Sequence, residues 1–142
     1  MLKIMKSTQK LYLRLCDEVR EKYNITQSEF DVIAFLNNHP QFNTGKDICE
    51  MRMLPKSCVS VAADRLSKMG LIKCTVDEQD RRIVRMEFTD KSVSIRTEIK
   101  LVQKRFGNIV FKEMSYDTVN AFSDTLVRIS KNVDCAMGET CS

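Results

Sequence analysis

The stretch from Pro55 to Thr89 constrains the fold of this chain most strongly. An amphipathic segment in it ends at Gly70, and two short β-branched-rich runs, 71–76 and 83–88, follow. A charged tip, Asp77-Glu78-Gln79-Asp80-Arg81-Arg82, separates the two runs, which is typical of a β-hairpin. The order therefore predicts a helix followed by a hairpin that projects from the surface as a wing.

The residues before the wing predict two short helices joined by a tight turn. Thr44 and Asp47 match a capping box that opens a helix through about Met51, and Pro55 suits the first turn of the next helix. The second helix has an apolar inner face formed by Val59, Ala62, Ala63, Leu66 and Met69. Its outer face carries Lys56, Ser57, Ser60, Val61, Asp64, Arg65 and Lys68. This is the pattern of a helix-turn-helix, in which such an outer face reads the major groove of DNA and a basic wing reaches phosphates or the minor groove.

Further helices are predicted on both sides of this segment. One covers about 7–23, and Thr26 with Glu29 forms a capping box that starts another, with Ile25 and Phe30 as a hydrophobic staple. After the wing we expect a long helix over about 91–111 and a last helix from Ser115. The last helix has an apolar heptad seam at Val119, Phe122, Leu126, Ile129 and Val133. Narrow apolar seams of this kind favour pairing with a second copy of the chain.

Composition excludes several classes of protein. The 142 residues suit one domain, and the net charge of +4 permits nucleic acid without requiring it. No run approaches the roughly 18 apolar residues of a membrane span, and the start lacks signal-peptide features, so a cytoplasmic protein without membrane contact is expected. Six cysteines occur without a Cys-x-x-Cys pair, and the single histidine, His39, falls in a predicted loop. We therefore expect no metal site and no cofactor, and we expect Cys16 and Cys74 to be buried thiols.

These residues resemble the MarR-type (multiple antibiotic resistance regulator) winged helix-turn-helix transcription factors. The match lies within residues 25 to 92 or so and includes three groups of residues. The groups are Asp47-Ile48 with Leu54, then Ser57, Val59, Ser60, Asp64-Arg65-Leu66 and Gly70-Leu71-Ile72, and finally Asp77, Asp80-Arg81-Arg82 and Phe88-Thr89. The resemblance implies a mainly α fold with a small β-hairpin wing (α+β), in a single domain over 1–142. Its DNA-binding core would cover about 25–92, and helices in about 1–24 and 93–136 would form a dimer.

The family resemblance also implies a function and a set of site residues. Family members usually repress promoters as dimers on palindromic double-stranded DNA, and they release it on binding a small-molecule effector or on cysteine oxidation. Carried over to this chain, the DNA contacts would be Lys56, Ser57, Ser60, Arg65, Arg81 and Arg82, and Asp80 would orient wing arginines. Val61 replaces a residue that is often polar or basic in the family, and it can contact a thymine methyl group.

Three alternatives remain beside a DNA-binding repressor. Cys58 lies in the first turn of the reading helix near Lys56, where a helix dipole favours thiolate, so a redox-sensing regulator is one alternative. Cys135 and Cys141 can also pair under oxidation. A winged-helix module that contacts protein is the second alternative, because acidic residues dilute the basic face. An enzyme is the poorest, since no catalytic motif is present and no catalytic residue is predicted.

Overall fold

The computed structural model describes residues 2–138 and is mostly helical with one two-stranded antiparallel sheet. This confirms the predicted mainly α fold with a small hairpin. The helices are α1 (Leu2–Tyr23), α2 (Gln27–Asn38), α3 (Gly45–Arg52), α4 (Lys56–Lys68), α5 (Val93–Val110) and α6 (Tyr116–Ala136). The strands are β1 (Ile72–Val76) and β2 (Val84–Phe88), and a short 3-10 turn, Asp90–Ser92, leads into α5.

The chain divides into two compact units, one ending at Phe106 and one beginning at Gly107. In the first unit, α2 lies in the core and buries an unbroken run from Val32 to Leu36. Around it pack the inner face of α4 and single faces of α1, α3 and α5, with Cys16, Ile48, Leu66, Ile95 and Ile99 almost fully buried. In the second unit, the ring of Phe111 meets Phe122 of α6 edge-on at 6.0 Å. Packing against this core therefore fixes the position of α4 within the first unit.

Both predicted capping boxes are confirmed. At α2, Glu29 N donates to Thr26 Oγ1 at 3.2 Å, and Thr26 N donates to Glu29 Oε2 at 2.9 Å. At α3, Asp47 N donates to Thr44 Oγ1 at 3.2 Å, and Thr44 N donates to Asp47 Oδ2 at 3.0 Å. Each pair satisfies amide groups that the first turn of a helix leaves without partners, which fixes where the helix begins.

The recognition helix candidate, α4, ends as its sequence predicts, but Pro55, predicted in its first turn, is instead the N-cap before its first residue, Lys56. Gly70 has φ of 73°, a left-handed conformation that glycine adopts without steric cost. Leu71 N then donates to Leu66 O at 3.0 Å and closes the end of the helix. At the other end, Met53 takes the left-handed conformation with φ of 52° in the turn between α3 and α4.

The wing is attached to the start of α3 as well as to the end of α4. β1 pairs with β2 from Ile72 opposite Phe88 to Val76 opposite Val84. On its other side, β2 forms a bridge between Arg85 and Thr44, and Met86 N donates to Asn43 O at 2.8 Å. Backbone hydrogen bonds on both edges of β2 thus tie the hairpin to the helix-turn-helix.

Three further predictions need correction, and Cys74 is the clearest. The predicted burial of Cys74 is wrong: Cys74 is exposed, because β1 is buried only at Ile72, whereas the buried residue of the paired strand is Met86. The first helix begins at Leu2 rather than near Ser7, and the apolar side chains of its first turn, Leu2, Ile4 and Met5, are exposed rather than packed on the core. The long helix begins at Val93, because residues 90–92 form the 3-10 turn instead.

The burial of Cys16 is confirmed. Cys141 lies outside the described residues. Within residues 2–138, no helix has both the length and the apolar character needed to cross a membrane.

Candidate nucleic-acid interface

The first half of α4 presents a short polar surface to solvent. Lys56, Ser57, Ser60 and Val61 are all exposed, and Val61 exposes 67% of its surface. Residues four apart on a helix are neighbours, so Lys56 lies beside Ser60 and Ser57 lies beside Val61. We call these four residues the reading face. It offers one cation, two small hydroxyl groups and the branched apolar side chain of Val61, which suits hydrogen bonding and apolar contact with base edges.

Arg65 lies further along the same helix but is engaged within the protein. Its Nη2 atom donates to Asn24 O at 3.2 Å, and its Nη1 atom is 3.4 Å from Glu29 Oε1. The Glu29 side chain is only 2% exposed, whereas that of Arg65 is 44% exposed. Arg65 therefore differs from the reading face, whose four residues the structure leaves open to solvent.

The second charged pair on α4 is local. Lys68 Nζ donates to Asp64 Oδ2 at 2.7 Å, and both side chains are largely exposed. The pair neutralises the acidic residue on the outer face of the helix, so Asp64 does not stand as an isolated negative charge beside the reading face.

The tip of the wing is organised by the carboxylate of Asp77. Its Oδ1 atom accepts from Gln79 N at 2.9 Å and from Asp80 N at 3.1 Å. These bonds favour the charged form, and the hydrogen bond from the Asp80 backbone is the largest influence holding the pKa of Asp77 below its ordinary value. The tip thus has a defined turn made by its own polar groups.

Asp80 in turn holds Arg82. Its Oδ1 atom accepts from Arg82 Nε at 3.1 Å and from Arg82 N at 3.0 Å, and its Oδ2 atom accepts from Nη2 at 3.3 Å. The Arg82 side chain keeps the pKa of Asp80 below its ordinary value. The Arg82 side chain is 91% exposed, and Arg81 beside it is exposed as well. Two guanidinium groups therefore project from the wing, one of them held by a carboxylate.

Arg85 is a further charged residue of the wing, and the sequence pattern did not indicate its contacts. Its Nε atom donates to Asp77 Oδ2 at 2.8 Å, and its Nη1 atom donates to Asn43 Oδ1 at 3.2 Å. Arg85 thus connects the tip of the wing with Asn43, which precedes Thr44, the N-cap of α3. The hairpin register would have indicated the first contact, because Thr75 opposite Arg85 places Asp77 diagonally across the strands.

The cysteines fall into different environments. Cys58 is partly exposed and lines an open crevice of about 360 Å³ between the start of α2 and α4, together with Ser28, Ser57 and Val61. Cys16 is fully buried in α1, and this burial raises the pKa of its thiol to about 11. Across residues 2–138, no group of three or more His, Cys, Asp and Glu side chains is arranged to hold a metal ion.

His39 ends α2 and its ring lies 5.0 Å from that of Phe35, so it has a packing role there.

Comparison with known proteins places these features in a family context. Residues 23–83 match a family model described as MarR family. The HTH-type transcriptional regulator MgrA of Staphylococcus aureus is 29% identical over 113 residues, which cover 80% of this chain and 75% of that protein. The HTH-type transcriptional repressor MdtR of Bacillus subtilis is 31% identical over 91 residues, covering 62% of this chain and 58% of that protein. The structure of a complex of S. aureus MepR with DNA has a TM-score of 0.75 at 17% identity and covers 93% of this chain and 97% of that one.

Proposed function

We propose a function from one premise, which is that the chain belongs to the MarR family of winged-helix transcriptional regulators. In this proposal the protein binds double-stranded DNA as a homodimer and acts as a repressor that a small-molecule effector releases. The DNA contacts are the reading face of α4 and the two wing arginines, Arg81 and Arg82. Arg65, whose guanidinium group binds Asn24 and Glu29, is not included among them.

The reading face carries this proposal. In a helix-turn-helix, the first residues of the second helix contact base edges, and the four residues of the reading face lie in the first two turns of α4. They are small or flexible enough to approach DNA closely. The wing then adds exposed arginines, of which Arg82 is already oriented by Asp80, for phosphate or minor-groove contact. The bound DNA in the related MepR structure supports the same use of the fold.

Dimerisation is supported by the apolar seam of α6. Phe122, Leu126, Ile129 and Val133 repeat at heptad spacing, and each of these side chains is about half exposed. No residue of α6 is buried in the single chain. Contiguous exposed apolar surface marks an interaction site, and a second copy of the same seam is the occupant that a symmetric regulator requires. Two copies would read half-sites about one DNA turn apart, or roughly 10 bp.

The repressor and effector parts of the proposal have narrower support. The related MdtR is named as a repressor. The effector part rests on the family resemblance alone, because the open crevice beside α4 shares Ser57 and Val61 with the reading face. A compound that binds better to a lobe spacing incompatible with DNA would shift the dimer away from its site.

The experiment that tests this function is recovery of bound DNA. Purified protein is incubated with fragmented genomic DNA of its source at low salt under reducing conditions, and the recovered fragments are sequenced. Enrichment of short inverted repeats is the expected result. A variant with Lys56→Ala and Ser60→Ala should lose this enrichment, whereas Arg14→Ala on α1 should keep it.

Failure of the wild-type protein to bind DNA at low salt would refute the proposal and favour a winged-helix module that contacts protein. The redox alternative has a separate test, in which Cys58→Ser should abolish peroxide sensitivity of DNA binding. Full peroxide sensitivity in that variant would exclude Cys58 as the sensor.

A further inference from the structure

We infer that Arg65 is a positioning residue, which fastens α4 to α2 and so sets the angle of the reading face, rather than a residue that contacts DNA. This inference rests on the proposed function and assigns one side chain of the outer face of α4 a different role. Its basis is the pair of contacts that Arg65 makes with residues 41 positions and 36 positions earlier in the chain.

The carboxylate of Glu29, the first partner of Arg65, is almost fully buried. Its Oε2 atom accepts from Thr26 N and completes the capping box, while its Oε1 atom faces Arg65 Nη1 at 3.4 Å. A buried carboxylate is costly unless it is paired and hydrogen-bonded. Moving Arg65 to a DNA phosphate would leave Oε1 without its cation, so the protein itself competes for this guanidinium.

The second partner of Arg65 is Asn24, in the turn between α1 and α2. Asn24 has a left-handed backbone with φ of 50°, and its carbonyl accepts from Arg65 Nη2. One guanidinium group thus binds two acceptors that flank the start of α2. The planar fork of arginine suits two such bonds at once, whereas a lysine offers a single point charge.

The position of Arg65 along α4 also favours a clamping role. Arg65 follows Lys56 by nine residues, which is about 13 Å along the axis at 1.5 Å per residue. The residues that enter the major groove are those near the helix N-terminus. A clamp near the other end controls the direction of α4 without entering the groove, and this is where Arg65 lies.

The test separates clamping from DNA contact through two measurements. The first is a double-mutant cycle of Arg65→Ala and Glu29→Gln, followed by urea unfolding with circular dichroism. Glutamine can still complete the capping box, so Glu29→Gln removes the charge and keeps the cap. Arg65→Ala should raise the unfolding equilibrium constant about tenfold in the wild-type background and clearly less in the Glu29→Gln background. Lys68→Ala is the matched control, because its exposed pair with Asp64 should contribute little.

The second measurement is the salt dependence of binding to a labelled random-sequence duplex of about 30 bp, long enough for two half-sites. Arg65→Ala should lower affinity several-fold with an unchanged slope of log K against log salt, and Arg65→Lys should recover part of the loss. Lys56→Ala, as a DNA-contact variant, should instead reduce the slope by about 0.9 per contacted phosphate.

Each result is decisive. A slope in Arg65→Ala that falls like that of Lys56→Ala would overturn the inference, because Arg65 would then contact phosphate. Unchanged affinity in the folded variant would also overturn it, as would additive effects in the stability cycle. If the wild-type protein binds no DNA, the proposed function fails, and the stability cycle alone then decides whether Arg65 fastens α4.

Discussion

Replacement of Arg82 by alanine is expected to weaken DNA binding while leaving the folded protein equally stable. The Arg82 side chain is 91% exposed, and its side-chain hydrogen bonds go to Asp80 within the same turn. Exposed ion pairs of this kind contribute about 0–1 kcal/mol, and surface substitutions usually change stability by less than about 0.5 kcal/mol. The free energy of unfolding of Arg82→Ala should therefore stay within about 0.5 kcal/mol of the wild-type value.

The expected effect on DNA binding is larger, because the proposed dimer carries two such arginines. If each Arg82 neutralises one phosphate, the slope of log K against log salt should fall by about 1.8 in magnitude. Between 50 and 200 mM salt, the variant would then lose about twelvefold less affinity than the wild-type protein does. The absolute affinity at low salt should be lower in the variant, because two charge-assisted contacts are missing.

Fluorescence anisotropy with a labelled duplex over a series of salt concentrations measures both quantities, and circular dichroism in urea measures stability. Arg14→Ala is the matched control, since Arg14 is exposed on α1 and its loss changes the net charge equally. A wild-type slope in Arg82→Ala, or an equal change of slope in Arg14→Ala, would refute the assignment of Arg82 to DNA.

Three further predictions follow from the geometry. Asp80→Ala should reduce DNA affinity with little change in the salt slope, because Arg82 keeps its charge but loses the carboxylate that orients it; a fall in slope by anisotropy would contradict this. Cys16 has its pKa raised from 9.0 to about 11, so the folded state holds a proton that the unfolded state releases, and stability should be full below about pH 9 and fall as pH rises towards 11. In Cys16→Ala the fall between pH 9 and pH 11 should be smaller, and what remains comes from Cys74 and Tyr12, whose pKa values burial also raises, that of Tyr12 to about 12. An unchanged urea profile would refute this. Leu126→Glu should convert the proposed dimer to a monomer in light scattering, because it places a charge in the seam of α6; a variant that remains dimeric would exclude that seam.

The elements whose signals lie within a few residues of each other could be predicted from the sequence. The capping boxes at Thr26 and Thr44 are confirmed, as are the left-handed end of α4 at Gly70 and the two strands around the charged tip. The predicted start of α1 was wrong because no buried apolar face marks the beginning of this helix. The first turn of α1 is helical although its apolar side chains are exposed, so a boundary placed where the buried face begins comes several residues too late.

The candidate site was only partly predictable. Alternation and helical spacing identified the reading face of α4, because a helix exposes one side when the other side is buried. The same spacing placed Arg65 with that face. It could not indicate whether an exposed arginine is solvated or bound, since both uses require a polar position on the outside of the helix.

The sequence alone determined the starts of α2 and α3, the end of α4 and the two strands of the wing, because these depend on the backbone and on hydrogen bonds between residues close together in the chain. Only the tertiary structure decided which partners the long charged side chains take. Arg65 reaches Asn24 across 41 positions, and Arg85 reaches Asn43 across 42 positions. Such contacts depend on how α2 and α4 pack and how the hairpin meets α3. Packing brings together residues that are far apart in the sequence, and the pattern of polar residues along the chain does not specify which of them meet.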